Sequence, residues 1–168
     1  FFIKLFFYLS IIVGILAAVY LYDLYEEIKN DIDSVVNYQP KQSTQFFDRN
    51  GKLLANTFKD ENREYVKYDD IPARVIESLV AIEDTQFFEH FGINPDAISR
   101  ALIKNIKSGG YSEGASTLTQ QLIKVLVLSR EKKIIRKVKE ALLAIRLETI
   151  LTKEEILERY LNHVYFGH

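Results

Sequence analysis

Two adjacent acids, Glu83 and Asp84, follow a stretch whose apolar residues recur at helical spacing. Glu83 lies on the same face as this stripe, and a carboxylate among apolar neighbours is costly to ionise unless it has a partner or a task. Asp84 is turned about a quarter of the way round the helix, into different surroundings. Such a pair could supply a general base, although a helix end whose Glu reaches solvent has the same spacing. The stripe consists of Val75, Ile76, Leu79, Val80 and Phe87.

A second group of polar side chains begins at Thr117. Thr117, Gln121 and Lys124 share one face of a predicted helix, and the pattern Thr117-x-x-Gln120 predicts a capping box at its start. A hydroxyl, an amide and an ammonium that follow the glycine-bearing segment 111–115 suit an anionic or sugar ligand. A solvated helix face would carry the same residue types, so the spacing alone leaves both interpretations open.

Arg136, Lys137 and Glu140 form a third group, because residues three and four positions apart are neighbours on a helix. Ordinary surface pairing would explain the group and would contribute little to stability. The functional interpretation is a cationic site for phosphate with a carboxylate embedded in it. Residues 100–146 contain eleven Lys/Arg and three Asp/Glu, a local charge of +8, and therefore favour an anionic partner.

Five helices are predicted to position these groups, and four of them have a start signal. The first follows Asp69-Asp70 and Pro72, and the second is capped by Asn94. The third begins at Thr117, and a second capping box, Thr152-x-x-Glu155, opens the fifth. The other expected features are the second helix at Asp96–Lys107 with the apolar stripe Ile98, Ala101, Leu102 and Ile106, the third helix ending near Ser129, and the fourth at Lys132–Leu151.

A small β element is predicted before the helices. Gln45–Phe47 and Leu53–Ala55 are short apolar runs around Asn50-Gly51, which is a hairpin signal. Glu64–Tyr68 is expected to add a third strand.

The N-terminal stretch Leu5–Tyr22 has eighteen residues and no charge, just enough to cross a bilayer as a helix. Lys4 precedes it and acids follow it, so the positive-inside rule predicts a cytoplasmic N-terminus and an external remainder. An uncleaved anchor is expected rather than a signal peptide. The expected order is a cytoplasmic end (1–4), an anchor (5–22), a polar stalk (23–44), a β element (45–70) and a helical domain (71–168).

Composition excludes several other classes. The 168 residues suffice for one modest domain with appendages, and without cysteine neither disulfides nor thiolate metal sites can form. The sequence contains neither G-x-G-x-x-G nor a P-loop, and its histidines lack metal-ligand spacing. Basic residues alternate with apolar core positions rather than with exposed aromatics, which argues against nucleic acid as a partner.

Four motifs follow one another along the chain: Glu83-Asp84-x-x-Phe87-x-x-His90-x-Gly92, Gly114-Ala115-Ser116-Thr117-Leu118-Thr119-Gln120-Gln121, Arg136-Lys137-x-x-Glu140 and Ile156-Leu157-Glu158-x-Tyr160-Leu161-Asn162. In this order they resemble the signatures of peptidoglycan glycosyltransferases, the membrane-anchored enzymes that include the N-terminal modules of class A penicillin-binding proteins. The resemblance covers about residues 45–168 and includes FFDRNGKLL at Phe46–Leu54. Ala115 stands where a second Gly is common, and the family's domain is expected to continue past residue 168.

This resemblance implies a mainly α, lysozyme-like fold with two lobes, a small β element and one N-terminal transmembrane helix. It implies polymerisation of lipid II, with Glu83 as general base and Glu140 as second essential carboxylate beside the pyrophosphate. The remaining residues are implied to bind substrate or to shape the site. Lys124, Arg136 and Lys137 would neutralise the leaving diphosphate; Ser116, Thr117 and Gln121 would hydrogen-bond donor sugar or phosphate; Asp84, Phe87 and His90 would shape the surroundings of the base.

The resemblance also implies partners and a location. These are lipid II, the growing glycan chain, membrane lipids and a transpeptidase domain, on the external side of the cytoplasmic membrane. No cofactor is required, although Mg²⁺ or Mn²⁺ assists some members, and phosphoglycolipids such as moenomycin are inhibitors. Two alternatives stay open: a muramidase or lytic transglycosylase that uses a Glu as general acid on finished glycan, and a membrane-anchored scaffold without chemistry.

Overall fold

The computed structural model describes residues 2–38, 43–57, 64–110, 112–128 and 133–164. The described residues are mostly helical with one two-stranded sheet, which confirms the predicted fold class. Short 3₁₀ helices occur at Lys29–Asp31 and Tyr68–Asp70. The strands are β1 (Thr44–Phe47) and β2 (Leu53–Thr57), and the helices are α1 (Phe2–Ile28), α2 (Ile32–Val36), α3 (Ala73–Glu83), α4 (Pro95–Ser108), α5 (Leu118–Leu126), α6 (Lys133–Leu147) and α7 (Lys153–His163).

The predicted hairpin is present. β1 and β2 pair antiparallel, and Gly51 supplies the positive φ of 80° that the turn requires. The Asp48 carboxylate accepts hydrogen bonds from the backbone N–H groups of Asn50 (2.8 Å) and Lys52 (2.9 Å), which fixes the turn. The third strand expected at Glu64–Tyr68 is wrong, because the backbone of Val66 bonds the Asn162 side chain of α7 instead of a neighbouring strand.

Helix α1 is long and apolar enough to cross a membrane, and its residues 2–23 are exposed. From Leu24 onward the chain turns inward, since Leu24, Ile28, Ile32 and Val35 are all buried. The segment predicted as a polar stalk, 23–44, therefore also carries buried apolar residues in its described part. Apolar residues between its charges pack α2 and the end of α1 against the helical domain.

Helix α3 ends earlier than its apolar stripe suggests. Its last residue is Glu83; Asp84 has left the helix, and Phe87 lies in the turns that follow. Helix α4 begins as predicted, with the Asn94 side chain accepting from the N–H of Ala97 at 2.9 Å. Only Ala101 of its predicted stripe is buried, while Ile98, Leu102 and Ile106 are exposed.

Helices α5, α6 and α7 surround the main apolar core. Both predicted capping boxes are formed, Thr117 with Gln120 on α5 and Thr152 with Glu155 on α7. The core of buried apolar residues consists of Ile28, Ile32, Val35, Phe87, Leu118, Leu122, Ile123, Leu128, Leu143, Ala144, Leu147, Leu151, Ile156, Leu157 and Tyr160.

Candidate active site

Glu83, the predicted base, is exposed at the end of α3. The expectation that it sits in a dry, apolar environment is wrong, because no residue of α3 is buried. Its carboxylate is nevertheless held, since the Gln121 side chain donates from Nε2 to Glu83 Oε2 at 2.9 Å. Glu83 is thus an accessible acceptor that a contact from α5 orients.

Asp84 faces inward, unlike its neighbour. Its Oδ2 atom accepts hydrogen bonds from His90 Nε2 (2.9 Å) and from the backbone N–H of Leu118 (3.0 Å). A carboxylate at the first turn of α5 also faces the positive end of that helix dipole. Both side chains are buried, so Asp84 and His90 support the site from behind instead of lining it. Phe87 is fully buried as well and contributes to the core.

Ser116 and Thr117 have different surroundings although they are adjacent. The Thr117 hydroxyl donates to the carbonyl of Gly92 at 2.6 Å and accepts from the N–H of Gln120 at 3.2 Å. Because this hydroxyl is buried and already makes two hydrogen bonds, it fixes the start of α5 and is not free for a sugar or phosphate. Ser116 instead faces the basic group, and its hydroxyl accepts from Lys137 Nζ at 2.8 Å.

The predicted cluster on α6 is present. Glu140 is fully buried, and Arg136 Nε lies 3.1 Å from its Oε1 atom while Lys137 Nζ contacts its Oε2 atom. The Lys137 side chain remains half exposed, at 48%. Two cations thus compensate one buried carboxylate, which leaves a net positive charge at a surface that a ligand can reach.

Lys124 is exposed on α5 and forms no hydrogen bond or ion pair with the described part of the chain. Within the same residues, no three His, Asp or Glu side chains lie close enough together to hold a metal ion. Assistance by Mg²⁺ or Mn²⁺ stays a prediction.

A network that the sequence did not reveal surrounds Lys153. Its ammonium donates to the carbonyl of His90 and to Glu148 Oε2, both at 2.7 Å, and lies 4.4 Å from the centre of the Phe87 ring. The other oxygen of Glu148 accepts from the Thr119 hydroxyl at 2.5 Å. These contacts tie the turns after Glu83 to α5 and to the start of α7.

Tyr160 is a second residue that sequence reasoning did not single out as functional. It is buried on α7, and its hydroxyl donates to Gln121 Oε1 at 3.2 Å. Burial, and secondarily the charge of Glu83, raise the pKa of the Tyr160 phenol, so the hydroxyl stays protonated. In the sequence it stands out only as a member of the fourth motif, residues 156–162.

Comparison with known proteins agrees with the motifs. A family model described as "Transglycosylase" matches residues 50–168. Penicillin-binding protein 1A of Vibrio cholerae is 41% identical over 99% of the chain, and that of Escherichia coli is 39% identical over 99%. Penicillin-binding protein 1A of Aquifex aeolicus is 43% identical over 95%. The chain spans about a fifth of the length of these relatives, namely 20%, 20% and 21%.

Proposed function

The chain belongs to the transglycosylase family, and we propose that it is a peptidoglycan glycosyltransferase that joins lipid II units into β-1,4 glycan strands. The observation that carries this assignment is the way one segment connects two charged centres. Gln121 holds the exposed Glu83, and Ser116, just before the same helix, contacts Lys137 of the cluster around Glu140. One short segment, residues 116–121, therefore contacts both the carboxylate that would accept a proton and the cation cluster that would bind a diphosphate.

In this proposal Glu83 is the general base. The acceptor 4-hydroxyl oxygen of GlcNAc forms a bond to C1 of the donor MurNAc, and its proton passes to Glu83. The bond between C1 and the pyrophosphate oxygen breaks with inversion, and undecaprenyl pyrophosphate leaves with the electron pair. Because Glu83 is exposed, the acceptor hydroxyl can reach its carboxylate directly.

Arg136 and Lys137 would stabilise the charge that develops on the leaving diphosphate, and Lys124 would add a third cation. Glu140 keeps the two α6 cations in place from a buried position. A glycan-cleaving enzyme releases a neutral sugar, which needs no such cluster, so the muramidase alternative is not favoured.

A lipid-linked substrate also fits the surface beside the cluster. Lys137 borders a shallow apolar groove along α6, so a diphosphate bound at Lys137 would place an attached polyprenyl chain against apolar side chains. The groove is further lined by Ile134, Val138, Ala141, Leu142 and Ile145.

The anchor supports the same assignment. We propose that α1 crosses the cytoplasmic membrane with the helical domain on its external side, where lipid II is presented. The growing glycan strand and membrane lipids would be the immediate partners, and the greater length of the relatives leaves room for a transpeptidase domain in the full-length protein.

The test is incubation of the full-length protein in detergent or liposomes with fluorescent lipid II. We expect long products that muramidase digests to disaccharide units, together with released undecaprenyl pyrophosphate. Shortening of preformed glycan strands would instead support the cleaving enzyme. If the folded protein carries out neither reaction, the scaffold alternative is supported and the proposal is contradicted.

A further inference from the structure

Two hydrogen bonds between side chains connect the helices α7, α5 and α3. On α7 the Tyr160 hydroxyl donates to Gln121 Oε1 (3.2 Å), and on α5 the Gln121 amide donates through Nε2 to Glu83 Oε2 (2.9 Å) at the end of α3. Tyr160 is only 4% exposed and belongs to the apolar core, so its position is fixed by packing. These hydrogen bonds therefore link a rigid part of the protein, at Tyr160, to the exposed carboxylate of Glu83.

We propose that Tyr160 is a positioning residue for the Glu83 base and acts by fixing the orientation of the Gln121 amide. This inference rests on the proposed function. A primary amide presents a carbonyl oxygen on one side and an NH₂ group on the other. The Glu83 carboxylate accepts from the amide, so the NH₂ group faces Glu83 and the amide oxygen faces Tyr160. The Tyr160 hydroxyl donates to that oxygen and so holds the amide in this orientation. The opposite orientation would place the amide oxygen against the carboxylate.

The orientation of the Gln121 amide matters because Glu83 has few other contacts that could fix its side chain. Within the residues the structure describes, Gln121 is the one hydrogen-bond donor to Glu83. Glu83 itself is exposed, as the last residue of α3. A free glutamate samples several rotamers, whereas a base must stay within hydrogen-bond reach of the acceptor hydroxyl. The contact engages Oε2 and leaves Oε1 available to take the proton.

The test is a double-mutant cycle on lipid II polymerisation by the full-length protein. Tyr160→Phe removes one hydroxyl and should lower kcat by about tenfold while KM for lipid II changes by less than about twofold. In a Gln121→Ala background the same change should lower kcat by less than about twofold, because the amide through which it acts is gone. Equal losses in both backgrounds, or no loss in either, would overturn the proposal.

A matched control tests whether loss of any tyrosine hydroxyl that bonds α7 would give the same result. Tyr65 donates its hydroxyl to Glu158, also on α7, but does not contact Gln121. Tyr65→Phe should therefore leave kcat within about twofold of the unmodified protein. A tenfold loss in Tyr65→Phe would make the Tyr160 effect a general consequence of weakening α7.

A second measurement does not depend on activity, so it separates failure of this inference from failure of the proposed function. With glutamine side chains labelled with ¹⁵N, the Gln121 NH₂ resonances should shift on Glu83→Gln and shift again on Tyr160→Phe. Gln121 resonances that respond to Glu83→Gln but are unchanged by Tyr160→Phe would refute the positioning role, whatever reaction the protein catalyses.

Discussion

Gly92 approaches Ala144 so closely that no side chain fits between them. A Cβ atom on Gly92 would lie 2.4 Å from the carbonyl carbon of Ala144, and the residue has a φ of +80° that L-amino acids rarely adopt. The carbonyl of Gly92 also accepts the Thr117 hydroxyl bond at 2.6 Å. One glycine thus sets the spacing between the turns after Glu83 and the helix that carries Glu140.

Gly92→Ala should consequently be among the most damaging small substitutions. We expect a loss of about 3 kcal/mol or more in the free energy of unfolding, from backbone strain and displacement of α6 together. Gly109→Ala is the matched control, because Gly109 has a φ of +67° and open space around it. It should cost only about 1 kcal/mol, the backbone part. Urea unfolding followed by circular dichroism measures both, and equal costs would mean that the contact with Ala144 is unimportant.

Lys153 and Glu148 form a nearly buried pair, with side chains 18% and 3% exposed. Lys153→Met leaves the Glu148 carboxylate without its cation and should destabilise the protein by about 3 kcal/mol. Adding Glu148→Gln should restore part of this loss, because the buried charge is then removed. Arg100→Met tests an exposed pair with Glu113 at 2.9 Å and should lower the unfolding midpoint far less, because solvent screens this pair. Thermal unfolding that ranks the two variants in the opposite order would contradict this account of the network.

Tyr65 should make the protein sensitive to alkali. Burial, and then the hydrogen bond to Glu158, raise the pKa of the Tyr65 phenol to about 12. In the unfolded chain the phenol ionises near pKa 10, so its contribution to stability is complete below about pH 10 and is lost as the pH rises towards 12. Stability measured by urea unfolding between about pH 9 and 12 should fall less steeply in Tyr65→Phe than in the unmodified protein. Identical slopes would show that the phenol titrates alike in both states.

The cation cluster should control binding of lipid pyrophosphates. Arg136→Ala and Lys137→Ala each remove a charge beside Glu140 and should weaken binding of a phosphoglycolipid inhibitor by about tenfold or more. Lys52→Ala, which removes an exposed cation at the hairpin turn, should change binding by less than about twofold. Fluorescence anisotropy with a labelled phosphoglycolipid measures all three variants. Unchanged affinity in both α6 variants would mean that the diphosphate binds elsewhere.

Local rules predicted the parts of the fold that short contacts determine. The capping boxes at Thr117 and Thr152, the Asn94 cap and the hairpin at Gly51 all depend on residues within a few positions of one another. The cluster around Glu140 is present for the same reason, since its partners lie three and four residues away on one helix.

Long-range contacts produced the differences from the sequence-based expectations. Asp84 leaves the helix and accepts a hydrogen bond from Leu118, 34 residues later, which turns it inward and leaves Glu83 outside. Lys153 reaches the carbonyl of His90 across 63 positions, and Tyr160 reaches Gln121 across 39. The spacing of residues within a single helix cannot predict these contacts, because each joins two distant parts of the sequence. The motif residues were therefore found from the sequence, whereas their division into supporting and accessible groups required the structure.

The central claim is that Glu83 takes the proton from the acceptor hydroxyl, and Glu83→Gln tests it most directly. Because the residue is exposed and only Gln121 contacts it among the described residues, this change should leave the unfolding midpoint unaltered. Lipid II polymerisation should fall by about a hundredfold or more, the usual contribution of a general base. A folded Glu83→Gln protein that keeps more than about one-tenth of the polymerisation rate would contradict the assignment.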